Sequence, residues 1–152
     1  MTPRKRSYRA IRKLVAEALA PGTTPARLTA LASDEDSSIR DAAAANPNTP
    51  AKQLDLLAHD PSWSVRRGAA ANPAAPVHLL VLLAKDGWSE VRFEVAANRR
   101  TPVETLVYLH KDPYSSVRRA LQDNPNTPAH IRLNAFEGLQ RVDDPNDTDD
   151  DD

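Results

Sequence analysis

The chain has 152 residues, a formal net charge of −1, no cysteine and only two phenylalanines. Its length fits a single domain, and the missing cysteines remove disulfides, thiolate metal sites and cysteine nucleophiles together. No apolar run approaches the ~18 residues of a membrane span, and the start, MTPRKRSYRAIRKLVAEALAPG, carries charges inside its apolar part, unlike a secretory signal, so a cytoplasmic address is expected.

The near-neutral total hides an asymmetry. Residues 1–6 read as a basic, disordered arm, part of a cluster formed by Arg4, Lys5, Arg6, Arg9, Arg12 and Lys13. Residues 7–20 read as an N-terminal capping helix, with Ile11, Leu14, Val15, Ala18 and Leu19 on one apolar stripe.

From residue 24 to 126 the chain repeats itself at a period of 26, giving four copies of a two-helix unit. Leu28, Leu54, Leu80 and Leu106 form one column, and Leu31, Leu57, Leu83 and Leu109 another. Asp34, Asp60, Asp86 and Asp112 align, as do Ile39, Val65, Val91 and Val117, then Arg40, Arg66, Arg92 and Arg118, then Asn46, Asn72, Asn98 and Asn124.

Within a copy, TPAKQLDLLAHD predicts a first helix with Thr49 as N-cap and Pro50 at the first helical position. DPSWSVRRGAAAN predicts a second helix, with Asp60 as cap, Pro61 as first residue and Asn72 before Pro73 as the stop. Thr101 and Glu104 have the spacing of a capping box. The recurrent NPNTP is then punctuation, its Asn amide bonding free backbone groups at the turn.

Helices of about nine residues are marginal alone, so the copies must stack to cover their apolar faces. The expected fold is all-α, a right-handed α-solenoid, monomeric, whose stability sums over neighbours. Residues 127–142 start a fifth copy and read as a C-terminal capping helix, with Ile131, Ala135, Phe136, Leu139 and Val142 as its covering face. Residues 143–152 hold seven Asp and read as a disordered acidic tail.

ANPNTPAKQLDLLAHDPSWSVRRGAAANP resembles the leucine-rich repeat variant family, over about residues 24–130. The resemblance implies a right-handed superhelix of an α-helix and a second short helix, 3-10 in some members. The wider relative is the HEAT-like repeat, which implies a ladder between neighbouring copies through Asp34, Arg40, Asp60, Arg66, Asp86, Arg92, Asp112 and Arg118. Some members of the variant family carry a cysteine-rich iron–sulfur segment, and a chain without cysteine cannot hold that cluster by thiolates.

Other candidates are weighed against plainer roles. Arg67, Arg99, Arg100 and Arg119 lie outside the ladder, and are read either as solvated helix face or as binding surface. Trp88 and Tyr114 share a column, with Trp63 one position further along its own copy; such aromatics beside arginine suit a partner hot spot or a cover over neighbouring turns. His59, His78, His110 and His130 have no metal-ligand spacing, and no phosphate loop, nucleophile triad or paired carboxylates stand out. No metal, cofactor or catalytic role is expected. The first function reading is a scaffold that binds a protein or peptide, with no membrane involved. The second is a nucleic-acid binder, because HEAT-like solenoids include DNA-glycosylase relatives that grip the duplex backbone and the basic arm could neutralise phosphates. Charge balance favours the first.

Overall fold

The computed structural model describes residues 6–132. Among them the regular elements are all helices: α1 (Tyr8–Leu19), α2 (Pro25–Leu31), α3 (Ser37–Ala45), α4 (Ala51–Leu57), α5 (Trp63–Ala71), α6 (Val77–Leu83), α7 (Ser89–Ala97), α8 (Val103–Leu109) and α9 (Ser115–Asp123). A further helical turn runs over 129–132. The basic arm up to residue 5, most of the C-terminal cap with Ala135, Phe136, Leu139 and Val142, and the acidic tail lie outside the described residues.

The helices pack on their neighbours in order. α1, α3, α5, α7 and α9 form a row in which each touches the next, and α2, α4, α6 and α8 each sit against two successive members of that row. The columns explain why. Leu28, Leu54, Leu80 and Leu106, and the second column from Leu31 to Leu109, are buried on the even-numbered helices, facing buried Ile39, Val65, Val91 and Val117 on the odd-numbered ones. Each such side chain stabilises the fold by about 1.5–3 kcal/mol relative to exposure, which is what short helices need to persist.

Small residues set how close the row can pack. Ala43 and Ala69 occupy the column that holds Val95 and Leu121 further on, all buried, and Gly68 lies at a close approach of α5 to α3. A Cβ on Gly68 would lie 2.6 Å from Asp41 Oδ1 and 2.7 Å from the Asp41 carbonyl oxygen. Gly68→Ala is therefore expected to destabilise by about 1–3 kcal/mol, although alanine is the better helix former by about 1 kcal/mol. A thermal melt that moved upward would contradict this.

The predicted caps shift by one or two residues. Pro50, Pro76 and Pro102 stand at the N-cap rather than at the first helical position, and none of α4, α6 and α8 has a side-chain cap bond. The Thr49 and Thr101 hydroxyls instead turn back to the carbonyls of Ala43 and Val95, six residues earlier. They close the end of the preceding helix, where a carbonyl lacks an intrahelical donor. Thr101 and Glu104 accordingly form no capping box. Asp60 is not a cap and Pro61 does not open a helix: α5 starts at Trp63 with Ser62 before it. In the first copy the threonine role is doubled, since Thr23 takes the Glu17 carbonyl while Thr24 caps α2 through the Arg27 N–H.

α1 occupies the place of a second helix from a preceding copy. Ala18 stands 26 residues before Ala44, and its carbonyl accepts from the Asn46 amide at 2.7 Å as the Ala44 carbonyl does from Asn72. No helix among the described residues is long and apolar enough to cross a membrane.

Candidate functional site

Two hydrogen-bonded ladders flank the row of helices, and they decide which polar residues are left to act on anything else. At the leading ends of the odd-numbered helices, Arg40 grips Asp60 through two nitrogens at 2.7 and 2.9 Å, Arg66 grips Asp86 at 2.6 and 3.1 Å, and Arg92 grips Asp112 at 2.6 and 3.1 Å. The same arginines reach back with Nη1 to the carbonyls of Asp34, Asp60 and Asp86 in their own copies. Arg118 likewise donates to the Asp112 carbonyl at 2.6 Å. Each aspartate also accepts the N–H two residues on, as Asp60 does from Ser62 and Asp86 from Trp88, both at 2.9 Å.

Asp34 has no preceding copy, and Arg6 fills the gap with bonds of 2.6 and 2.8 Å to its carboxylate. The last residue of the predicted arm is thus part of the ladder. Burial pushes the Asp60 carboxyl up, but the Arg40 hydrogen bond, the Ser62 N–H and the charges of Arg40 and Arg66 outweigh it, so its pKa falls below the ordinary aspartate range. Asp86 falls for the same reasons with Arg66, Trp88 N–H and Arg92 as partners.

At the trailing ends runs a second ladder. Asn46, Asn72, Asn98 and Asn124 are buried. Asn72 donates to the carbonyls of Ala44 and Asn46, Asn98 to those of Ala70 and Asn72, and Asn124 to those of Ala96 and Asn98. Each Oδ1 accepts the N–H two residues later, in Asn46 from Asn48 and in Asn72 from Ala74. The amide does bond backbone groups, but those of the preceding copy rather than of its own turn alone.

The remaining candidates do not form one site. Trp63 and Trp88 come together, stacked with centroids 5.3 Å apart and planes at 19°. Tyr114 lies apart at the arginine ladder, under the Arg92 guanidinium at 5.5 Å. Arg67 pairs with Asp41 at 3.2 Å across α5 and α3. Arg100 Nε donates to the Ala75 carbonyl at 3.1 Å, replacing the amide that Asn48 offers to Pro21 and Asn126 to Arg99 in the same column. Arg99 and Arg119 are exposed at different places, the turn after α7 and the face of α9.

Trp63 and Arg67 line a cleft of ≈ 330 Å³ with Ser89, Glu90, Phe93, Glu94 and Ser116. Sequence reasoning passed over Phe93 and Glu94. Burial pushes the Glu94 carboxyl up, the Arg67 charge offsets part of that, and Asp41 adds to it. Asp41 itself is raised by burial against the opposing pull of Arg67.

A second surface escaped the sequence reading altogether. Leu56, Leu82 and Tyr108 are exposed on α4, α6 and α8, together with Val77, Val81, Val103 and Val107. They fall into register: Leu56, Leu82 and Tyr108 are 26 residues apart, as are Val77 and Val103, and Val81 and Val107. The signal was the α6 sequence VHLLVLL, which is apolar on more than the one face its core contacts require. Beside this strip, a groove of ≈ 530 Å³ is lined by Val107 and Tyr108, the cations Lys85 and Lys111, the Arg92–Asp112 pair and Asp86, which Arg66 holds. Comparison of the chain with protein-family models, with curated proteins and with solved structures finds no match.

Proposed function

We propose that the chain is a non-catalytic repeat scaffold, a right-handed α-solenoid of the leucine-rich-repeat-variant kind, that binds another protein through the apolar strip on α4, α6 and α8. The observation that carries this reading is the register of the exposed strip. Scattered exposed apolar residues need no explanation, but a contiguous apolar patch marks an interaction surface. The partner is an amphipathic segment with aliphatic or aromatic side chains for the strip and carboxylates for Lys85 and Lys111, two of the residues that line the groove.

The ladders argue against a polyanion as partner. Arg6, Arg40, Arg66, Arg67 and Arg92 are each paired with an aspartate, and a phosphate footprint needs cations that are free to displace counterions.

The test is selection of a random-peptide display library on the full chain, with binding of the enriched peptides then measured against Val81→Asp and Val107→Asp. Enriched peptides are expected to combine apolar residues with Asp or Glu, and to bind each variant about tenfold more weakly or worse. Peptides that bind the variants as well as the parent would overturn the reading. So would self-association that either substitution abolishes, which would make a second copy the occupant, or duplex DNA binding whose log affinity falls with log salt by about 0.9 per neutralised phosphate over several phosphates.

A further inference from the structure

Glu94 stands in a column otherwise made of Ala42, Gly68 and Ala120, the position where neighbouring helices approach so closely that Gly68 has no room for a Cβ. A small residue there satisfies packing in every other copy. The glutamate instead holds a half-buried carboxylate, which receives no hydrogen bond or ion pair among the described residues and whose pKa burial raises. Such a group costs stability unless something pairs with it.

Its neighbours fail to supply the pair. Asp41 and Glu94 both feel the Arg67 charge, and the Arg67 contact is made to Asp41 at 3.2 Å. Among the described residues Glu90 receives only the Ser89 hydroxyl, at 3.1 Å. The same cleft has an aromatic wall, Trp63 backed by Trp88 and Phe93 beside it. Its volume of ≈ 330 Å³ admits a long side chain rather than a single water of about 30 Å³.

We propose that this cleft binds a cationic side chain of another molecule, an ammonium or guanidinium on an aliphatic stem, between the Trp63 indole and the Glu90 and Glu94 carboxylates. A cation over an indole face is attracted by the ring quadrupole. Charge-assisted hydrogen bonds to the two carboxylates then fix its position, and the stem runs along Phe93. An anion would face the Glu90 and Glu94 carboxylates in the same space, and the Arg67 guanidinium that also lines the cleft is engaged by Asp41. The cleft is built from α5, α7 and α9, and the apolar strip from α4, α6 and α8, so this site stands or falls separately from the scaffold reading.

Trp63 lines the cleft and Trp88, the other tryptophan of the chain, stacks on it, so intrinsic fluorescence reports on the cleft. Full-length protein is titrated with Nα-acetyl-arginine amide and Nα-acetyl-lysine amide at ionic strength held constant with NaCl, and with the uncharged Nα,Nε-diacetyl-lysine amide. Saturable changes are expected with the two cations and none with the diacetyl compound. Glu94→Gln and Glu90→Gln should each weaken binding about tenfold, while Val81→Asp, on the other surface, leaves it unchanged. Thermal melts check folding, and Glu90→Gln, an exposed position, carries the comparison if Glu94→Gln folds poorly. A response that does not saturate, that the diacetyl compound reproduces, or that the glutamine variants retain in full overturns the proposal.

Discussion

Arg92→Ala is expected to destabilise the protein by about 3–5 kcal/mol, the cost of breaking a buried ion pair by removing one partner. At roughly 2–4 °C per kcal/mol for a chain of this size, the melting temperature should fall by on the order of 10 °C. The pair it breaks is the most enclosed rung of the ladder, with side-chain exposures of 11% for Arg92 and 4% for Asp112, so the abandoned carboxylate has little water to turn to. The Asp86 carbonyl loses its donor at the same time, and the Tyr114 ring loses the cation above it. Arg99→Ala, at an exposed turn position, should stay within about 0.5 kcal/mol of the parent. Replacing Arg92 and Asp112 together by leucine should recover most of the loss, because the penalty lies in the unpaired charge. Equal melting temperatures for Arg92→Ala and Arg99→Ala would sink the account.

The same ladder sets the response to acid. The Asp60 and Asp86 carboxyls are lowered in the folded state, so below the unfolded value of about 3.9 the unfolded chain takes up protons first. Their contribution is present above that pH and lost as pH falls through the lowered folded values. Asp41 and Glu94 act in the opposite sense, because their folded carboxyls are raised. Their destabilisation at neutral pH is relieved as pH falls through those raised values, ahead of the point where the ladder fails.

The columns of Leu, Ile and Val were legible because a buried side chain repeats wherever the copy repeats. Leu28 through Leu106 could be read as core without knowing the helix bounds. Caps were less legible because they depend on which partner wins. Thr49 beside Pro50 has the local chemistry of an N-cap, yet its hydroxyl meets the carbonyl of Ala43 instead, and Asp60 is held by Arg40 from the preceding copy. Local propensity cannot rank a bond within one turn against a bond across copies.

The candidate cleft was half visible. Trp63 and Trp88 lie 25 residues apart in a chain with a period of 26, so column reasoning separated two rings that in fact stack. Arg67 looked unexplained because it lies outside the ladder columns, whereas its partner Asp41 stands one full period before it. Glu94 was readable as a departure from Ala42, Gly68 and Ala120, once departures rather than matches are taken as the signal for function. The exposed strip went unread because only the Leu80 and Leu83 columns were followed on α6, and burial alone separates Leu79, Leu80 and Leu83 from Val77, Val81 and Leu82.

Asn72 offers the sharpest test of how the copies are joined, and Asn72→Ala is expected to cost about 2–5 kcal/mol, since each buried acceptor left without a donor costs about 1–3 kcal/mol. Its Nδ2 donates at 2.7 Å to both the Ala44 and the Asn46 carbonyls, and the side chain is fully buried, so no water replaces it. The Ala74 N–H loses its acceptor as well. Asn72→Asp keeps the shape and the acceptor but turns an oxygen toward two carbonyl oxygens, so at neutral pH it should be worse than alanine. Acidification protonates that carboxylate and returns one donor, which should narrow the gap between the two variants as pH falls. Asn48→Ala removes a comparable bond, 2.8 Å to the Pro21 carbonyl, but at an exposed position where water substitutes, and should cost under about 1 kcal/mol. Denaturant unfolding of the three variants, followed by the amide exchange of Ala74, checks both the ranking and its cause. Asn72→Ala unfolding within error of the parent would mean that the copies are held by their apolar columns alone.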